Sequence, residues 1–437
     1  MGLPSLIELV PIEQPVSARI TVPGSKSITN RALVLAALAH GTVTLHGALW
    51  SEDTQLMAEA LRKLGFELDI RLDPAEPCNR TILVRGLGGK IPNGGCPEQP
   101  LELYVGNAGT AARFLTAFVC LGRGVYRLHG TSRMHQRPQA ALFNALRQLG
   151  YRIESPNDKL PATIYGGGFA AGTTGRNATQ HRACTVSIEE SSQFASALLL
   201  CSTVAGWQVT VTGENADESP YVRMTTELLK LFPWGGGQFQ IEPDASSGSY
   251  FIALDAILAG STAPTGRVRV VNWPTSDLQI DSAFARFLPL PPGLSRKTDL
   301  GDSIMTAIVI APFARSAVRF SDLGRLRLQE CDRVRALRTE LTKCGATVLE
   351  QDDALTVHPS QLHGAEIETY DDHRVAMCFS VLGLKVPGIK IKNPACVRKT
   401  FPSFYVKLAA PPPDGLGATI LDATTGRKLA PGELFAD

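Results

Sequence analysis

Long apolar runs, paired cysteines and an excess of either charge are all missing from this 437-residue chain. No uninterrupted apolar stretch reaches the roughly 18 residues of a membrane span. The best candidate, IMTAIVIAPFA (304–314), is too short and contains Pro312. Lys and Arg total 43 against 41 Asp and Glu, a formal net charge of +2. That balance lacks the basic surplus of a nucleic-acid binder, so any basic cluster has to be local. The nine cysteines are scattered, odd in number and free of any CxxC pair. A zinc knuckle and a disulfide framework are thereby excluded, and a reducing compartment fits. MGLPSLIELVPIEQPV at the start has no charged region ahead of an apolar one, unlike a signal peptide. Leu6 stands where a myristoylation pattern needs Ser or Thr. The expectation is a soluble cytoplasmic protein with neither nucleic-acid nor membrane partners.

Two nucleotide signatures are absent as well. No GxGxxG follows a strand, so a dinucleotide domain is not indicated. VPGSKSITNRALVLAALAHG (22–41) has the look of a phosphate loop, but Arg19 stands five residues before Gly24, and Ser25 separates Gly24 from Lys26. The GxxxxGK[ST] pattern therefore fails. A helix start carrying Ser25, Lys26 and Ser27 remains, with Arg31 four residues after Ser27 and on the same face. Unpaired backbone N–H groups beside two cations make an anion site; the blander reading is a capped helix with solvated side chains.

What is present begins with size, since a chain this long exceeds a single core and two domains are expected. Apolar residues make up 44% and charged residues 19%, an ordinary globular mix. LRKLGFELDI (61–70), LRQLGYRIES (146–155) and LTKCGATVLE (341–350) share one plan, and LLKLFPWGGGQFQI (228–241) is a looser copy. Each reads as the last turn of an amphipathic helix, a glycine suited to a left-handed cap, and an alternating strand. Further helices are predicted over 55–65, 108–122, 190–206, 220–232, 246–260 and 301–314, with short β-rich runs between them. Alternating helices and strands predict an α/β or α+β protein. Beyond Leu408 a proline triplet reads as a linker, followed by a small hairpin at TILDATTGRKL.

Six further stretches could carry chemistry. GNAGTAARFL (106–115) is a tight turn into a helix whose small residues let a ligand approach the backbone. GTSRMHQRP (130–138) places Arg133 and Arg137 after a strand, and ESSQFASALL (190–199) crowds Ser191, Ser192 and Gln193 at a helix start. In QECDRVRALR (329–338), Glu330 and Arg333 are one helical turn apart. TYDDHRVAMCFS (369–380) leads from Asp371, Asp372, His373 and Arg374 into an apolar helix, and RKTFPSF (398–404) carries Lys399. Metal binding by the Asp-Asp-His run lacks a second ligand cluster. Taken singly, these are glycine turns, solvated arginines, helix caps and surface ion pairs. Together with the opening stretch they repeat one theme, a small polar helix start or loop with Lys or Arg nearby. Such a chain suits a small molecule bearing several negative charges.

PGSKSITNRAL, GNAGTAAR, SRMHQRP, SSQFASALL, PYVRMT, DASSGSYF, DDHRVAM and KTFPSF, in that order, resemble the 5-enolpyruvylshikimate-3-phosphate synthases, enolpyruvyl transferases of the shikimate pathway. The resemblance runs from about residue 12 to about residue 408. It implies two α/β domains, each of three βαβαββ units, around an interdomain cleft. The expected division is 1–22 plus 243–408 as one domain, 23–242 as the other, and 409–437 as a tail. The implied reaction moves the enolpyruvyl group of phosphoenolpyruvate onto the 5-hydroxyl of shikimate 3-phosphate, in a monomer needing no metal or other cofactor. Lys26, Gly109, Arg133, Gln193, Arg333, Arg374 and Lys399 match positions around phosphoenolpyruvate. Lys26, Ser27, Arg31, Ser191, Ser192, Gln193, Ser219, Tyr221, Asp302 and Gln329 match positions around shikimate 3-phosphate. Asp302 matches the general base, with Glu330 and Lys26 as candidates for proton delivery. Sensitivity to glyphosate, which lies beside the position of Gly109 in the family, is implied too.

The chain also departs from the pattern. Gln329 replaces a lysine that touches the target hydroxyl, Arg325 an asparagine, and Glu218 a serine unless Ser219 serves instead. Phe114 stands where proline is common, and the segment from Gln279 to Asp302 is shorter than usual. Two other readings stay open on these residues. Transfer to a UDP-sugar is disfavoured by Ser27 and by the absence of cysteine from SRMHQRP. A protein that binds phosphoenolpyruvate without turnover is suggested by Gln329.

Overall fold

The computed structural model describes residues 2–168, 182–213 and 219–436; Glu218 lies outside them. The described chain forms two compact units. One comprises Gly24–Ala75 and Asn79–Ile241, the other Met1–Pro23, Glu76–Cys78 and Glu242–Asp437.

The glycine motif of the sequence marks the same local structure each time. Helices Glu52–Lys63, Ala140–Gln148 and Arg333–Lys343 each end just before a glycine at φ near +90° (Gly65, Gly150, Gly345), which side-chain-bearing residues rarely adopt. An edge strand follows: Leu68–Leu72, Arg152–Glu154 and Val348–Gln351 respectively. Each strand closes a four-stranded sheet with one parallel and two antiparallel pairings. A fourth sheet of the same pattern joins Glu366–Ile367, Lys390–Lys392, Leu6–Leu9 and Ile420–Asp422. Its last strand comes from the stretch expected to be a linker and hairpin, and Leu421 also bridges to Lys428. Each unit thus has two such sheets and one two-stranded parallel pair among the described residues.

Each unit holds three helices that are apolar almost all round and largely buried, although the one at 193–205 surfaces at Thr203. In the first unit they are Lys26–Leu38, Gly109–Phe118 and Gln193–Ala205; in the second, Ala245–Leu258, Ile304–Ile310 and His373–Gly383. The sequence reading ran the fifth of these on to residue 314. Pro312 converts its end to a 3-10 turn, Ala311–Phe313, because proline offers no N–H to continue the α pattern. Contacts near the helix starts tie the N-terminal ends together. Asn30 donates to Thr110 Oγ1 at 2.8 Å, and Arg31 to Ser196 Oγ at 2.9 Å. In the second unit Ser249 and Thr306 pair at 2.9 Å. The motifs singled out in the sequence cluster at these helix starts. Positive dipole ends are therefore gathered where the polar residues are.

Glu76–Cys78 leaves the sheets of the first unit and is held by the second. Glu76 accepts from Thr21 Oγ1 at 2.7 Å and pairs with Lys407 at 2.8 Å, while Cys78 Sγ lies 3.0 Å from Ser403 Oγ. Nothing in the sequence pattern announced this excursion. All nine cysteines carry free thiols, and among the described residues no helix is long and apolar enough to cross a membrane.

Candidate active site

In the first unit, the three central helices begin without a side-chain cap: neither Ser25, Ala108 nor Ser192 bonds a first-turn N–H through its side chain. Two serines and a glutamine crowd the Ser191–Gln193 start, where capping was one reading. Instead Ser191 Oγ accepts only from the Gln193 N–H, at 3.2 Å, and Gln193 Oε1 is buried with no hydrogen-bond partner. Uncapped N–H groups are an anion-binding surface, and Lys26 is the first residue of one of these helices.

Lys26 pairs with Asp53 at 2.9 Å, with 14% and 3% of their side chains exposed. Arg31 is fully buried and is held by neutral groups. Its Nε donates to Thr225 Oγ1 at 2.8 Å, Nη1 to the Ser27 carbonyl at 2.8 Å, and Nη2 to Ser196 Oγ at 2.9 Å and the Tyr221 carbonyl at 3.4 Å. Phe114, the departure from proline, lies beneath this guanidinium at 5.2 Å. Among the described residues no carboxylate pairs with Arg31. Burial pulls its pKa down to about 10 against the opposing influence of Tyr221. A buried cation held only by neutral groups is a place where an anion gains most. Ser219 opens the helix Pro220–Leu231 and accepts the Val222 and Arg223 N–H groups through its carbonyl, so it positions Tyr221.

Gly109 is packed against arginine. A Cβ there would sit 2.6 Å from Arg137 Nη2 and 3.1 Å from Arg113 Nη1. Arg113 is buried and donates to the Pro138 carbonyl at 2.8 Å, and Arg137 to the Asn107 carbonyl at 3.1 Å. Arg133 is half-buried and contacts Gln136 at 3.3 Å. Of the two arginines in SRMHQRP, Arg137 is the one packed against Gly109.

In the second unit a buried ionic network surrounds Asp302, just ahead of the helix Ile304–Ile310. Its Oδ1 is 3.0 Å from Arg296 Nη2; its Oδ2 is 3.1 Å from Arg374 Nη2 and 4.0 Å from Arg333 Nη1. Burial opposes ionisation of this carboxyl, but Arg374, Arg296 and Arg333 outweigh it and hold the group well below the usual carboxylate range. Arg333 is 1% exposed and also pairs with Asp372 at 2.7 Å and Glu330 at 2.9 Å. Burial disfavours the charge of Arg333, yet Asp372, Glu330 and Asp302 more than restore it and push its pKa up. Lys399 reaches Glu330 at 3.3 Å. Gln329 accepts from Arg333 Nη1, so the residue that departs from the family pattern sits inside this network as a neutral acceptor. Asp372 caps its helix through the Arg374 N–H at 2.9 Å. Asp372 of the Asp-Asp-His run is thus engaged by Arg333 and by its own helix start, and among the described residues no cluster of three or more His, Cys, Asp or Glu could hold a metal ion. The loop carrying Asp302 is pinned by Asp281, which accepts the Gly301 and Ser303 N–H groups at 2.8 and 3.0 Å.

Asp53, Arg113, Arg137, Asp281 and Arg296 were not assigned a part in the site from the sequence. A motif-by-motif reading shows the helix starts but not their partners, which arrive from loops and other helices without periodicity of their own.

The architecture matches solved structures of enolpyruvyl transferases. An EPSP synthase from Acinetobacter baumannii superposes with a TM-score of 0.70 at 21% identity, covering 95% of this chain and 99% of that one. An enolpyruvyl transferase from Streptomyces tendae gives 0.63 at 15% identity, with coverage of 98% and 99%. The fold is therefore that of the enolpyruvyl transferases. Sequence narrows it further. The family model for EPSP synthase (3-phosphoshikimate 1-carboxyvinyltransferase) matches residues 10–235 and 297–408. The 3-phosphoshikimate 1-carboxyvinyltransferase of Trichormus variabilis is 37% identical, covering 92% of this chain and 98% of its own length. That of Opitutus terrae is also 37% identical, with coverage of 94% and 98%. The chain belongs to the EPSP synthase family.

Proposed function

We propose that this chain transfers the enolpyruvyl group of phosphoenolpyruvate to the 5-hydroxyl of shikimate 3-phosphate, releasing phosphate, as a cytoplasmic enzyme of aromatic amino acid biosynthesis. One observation carries the mechanism: a buried carboxylate, Asp302, contacted by three guanidinium groups that are themselves suited to hold an anionic substrate. Both substrates carry phosphate and carboxylate groups. Arg333, Arg374 and Lys399, with Gly109, Arg133 and Gln193, are assigned to phosphoenolpyruvate. Ser27, Arg31, Ser191, Ser192, Ser219, Tyr221 and Gln329 are assigned to shikimate 3-phosphate, and Lys26, Gln193 and Asp302 touch it as well. The unpartnered Gln193 oxygen and the buried Arg31 support this division. Arg137, beside Gly109, joins the phosphoenolpyruvate set.

Addition begins when Asp302 accepts the proton of the 5-hydroxyl and the resulting oxygen attacks C2 of phosphoenolpyruvate. Glu330 and Lys26 are the proton donors assigned to its methylene carbon, giving a tetrahedral intermediate. Elimination removes a proton from the new methyl group as phosphate leaves, restoring the double bond. In the free protein the arginines make Asp302 a weak base. A bound phosphate and carboxylate would draw Arg333 and Arg374 onto the substrate, and the basicity of Asp302 would rise as it is needed.

Purified protein mixed with both substrates is expected to release phosphate in proportion to enzyme. Release no faster than with either substrate alone overturns the reading, including its distinction from a protein that only binds. Gly109 provides a second test. In Gly109→Ala the added methyl displaces Arg137, while Arg113 has little room to yield. We expect KM for phosphoenolpyruvate to rise about tenfold, roughly 1.4 kcal/mol of binding, with thermal stability unchanged. Glyphosate should compete with phosphoenolpyruvate in the parent protein and less well in the variant. An unchanged KM would detach Gly109 from this substrate.

A further inference from the structure

The network around Asp302 contains one cation that the reading above leaves without a task. Arg296 follows the short strand Gly293–Ser295 in the segment that reads as shortened, one residue ahead of the second stretch matched by the family model. Its backbone N–H is fixed to the Ser321 carbonyl at 3.1 Å. Its side chain is 9% exposed and meets Asp302 Oδ1 at 3.0 Å, while Nε is buried with no hydrogen-bond partner. Burying a guanidinium for a single ion pair is a poor way to stabilise a fold, because desolvation offsets most of the attraction. A role in the reaction accounts for it better.

The two oxygens of Asp302 have different partners: Arg296 holds Oδ1, whereas Arg374 and Arg333 hold Oδ2. Under the proposed function, on which this inference rests, the second pair is drawn toward phosphoenolpyruvate. Arg296 is then the cation that stays. Gln329 cannot substitute for it, being neutral and already engaged by Arg333.

We propose that Arg296 is the positioning residue for the general base: it fixes Oδ1 of Asp302 and keeps the carboxylate ionised, so that Oδ2 is the oxygen that takes the 5-hydroxyl proton. It thereby supplies the positive charge that a lysine at position 329 would have brought. The other charged or titratable groups facing this cluster are Glu330, Asp372, Lys399 and Cys331 through Arg333, and Asp244, Tyr250 and Cys378 through Arg374. Asp281 faces it through the backbone of the Asp302 loop. None of these places a second cation on Oδ1.

The test compares Arg296→Gln and Arg296→Lys in the full chain. Losing one cation at this distance raises a carboxyl pKa by about 1–3 units. The acidic limb of the kcat profile is therefore expected to move up by at least about one unit in Arg296→Gln, with KM for phosphoenolpyruvate little changed. Arg296→Lys should restore the limb while kcat stays below the parent, since an ammonium keeps the charge but not the fixed fork. A limb unmoved in folded Arg296→Gln, or a lysine variant no better than glutamine, overturns the proposal. If Arg296→Gln does not fold, a parent-like kcat in Arg296→Lys overturns it and a reduced kcat with unmoved limb supports it. Should the parent protein release no phosphate, the functional reading falls by itself. The Asp302 carboxyl titration, followed by carbon-13 NMR in parent and Arg296→Gln, then decides the positioning claim: an upward move supports it and an unmoved titration overturns it.

Discussion

Asp302→Ala is expected to lower kcat by about 10²–10⁴, the range of a positioned general base, while phosphoenolpyruvate still binds. The affinity part follows from charge. Four cations, Arg296, Arg333, Arg374 and Lys399, share three carboxylates, Asp302, Glu330 and Asp372, in this network. Removing Asp302 leaves the field more positive, so an anionic substrate should bind as tightly or more so. Phosphate release measures the first quantity and calorimetric titration the second. Turnover within about tenfold of the parent would remove Asp302 from the role of base.

The same substitution changes the response to acid. The folded-state pKa of Asp302 is depressed, so its contribution to stability is complete above its unfolded value, about 3.9. That contribution is lost as the pH falls below this value toward the lower folded pKa. Asp302→Ala lacks it and should therefore lose less stability than the parent between about pH 4 and strongly acid conditions.

Arg333→Ala is expected to be the most destabilising single change in the network. Its guanidinium is bidentate on Asp372, which is 0% exposed, and it meets Glu330 and Asp302 as well. Truncation leaves Asp372 buried with the Arg374 N–H and the Cys331 thiol as its remaining donors. Removing one partner of a buried pair costs about 3–5 kcal/mol, because the other charge keeps its desolvation penalty. Urea unfolding of parent and variant measures this, provided both transitions are two-state. A loss below about 1 kcal/mol, the range of an exposed pair, would show that Asp372 is not dependent on Arg333. Phosphate release should vanish in the same variant under the proposed function, which assigns Arg333 to phosphoenolpyruvate as well.

The locally encoded features were legible before the structure. The glycine that ends three helices needs a left-handed φ, and the strand after it alternates, so LRKLG, LRQLG and LTKCG announced helix, cap and edge strand. The motifs at the helix starts were legible for a similar reason: polar residues ahead of an all-apolar helix are conspicuous in a linear pattern. Partners were not legible. Lys26 meets Asp53 across 27 positions, and Arg31 meets Ser196 across 165 and Thr225 across 194. Even Arg296, six residues from Asp302, gave no signal, because a loop has no period from which to infer which side chains face each other.

By itself, then, the chain's order of residues determined the α/β class, the repeated helix and strand unit and the family. Hydrophobic periodicity, capping chemistry and motif identity are all written within a few turns of backbone. Only the tertiary structure decided that Arg137 is the arginine packed against Gly109, that Glu76–Cys78 is held by Thr21, Ser403 and Lys407, and that Arg296 pairs with Asp302. Those outcomes depend on distances between segments far apart in sequence or joined by irregular loops, and packing, not local propensity, sets such distances.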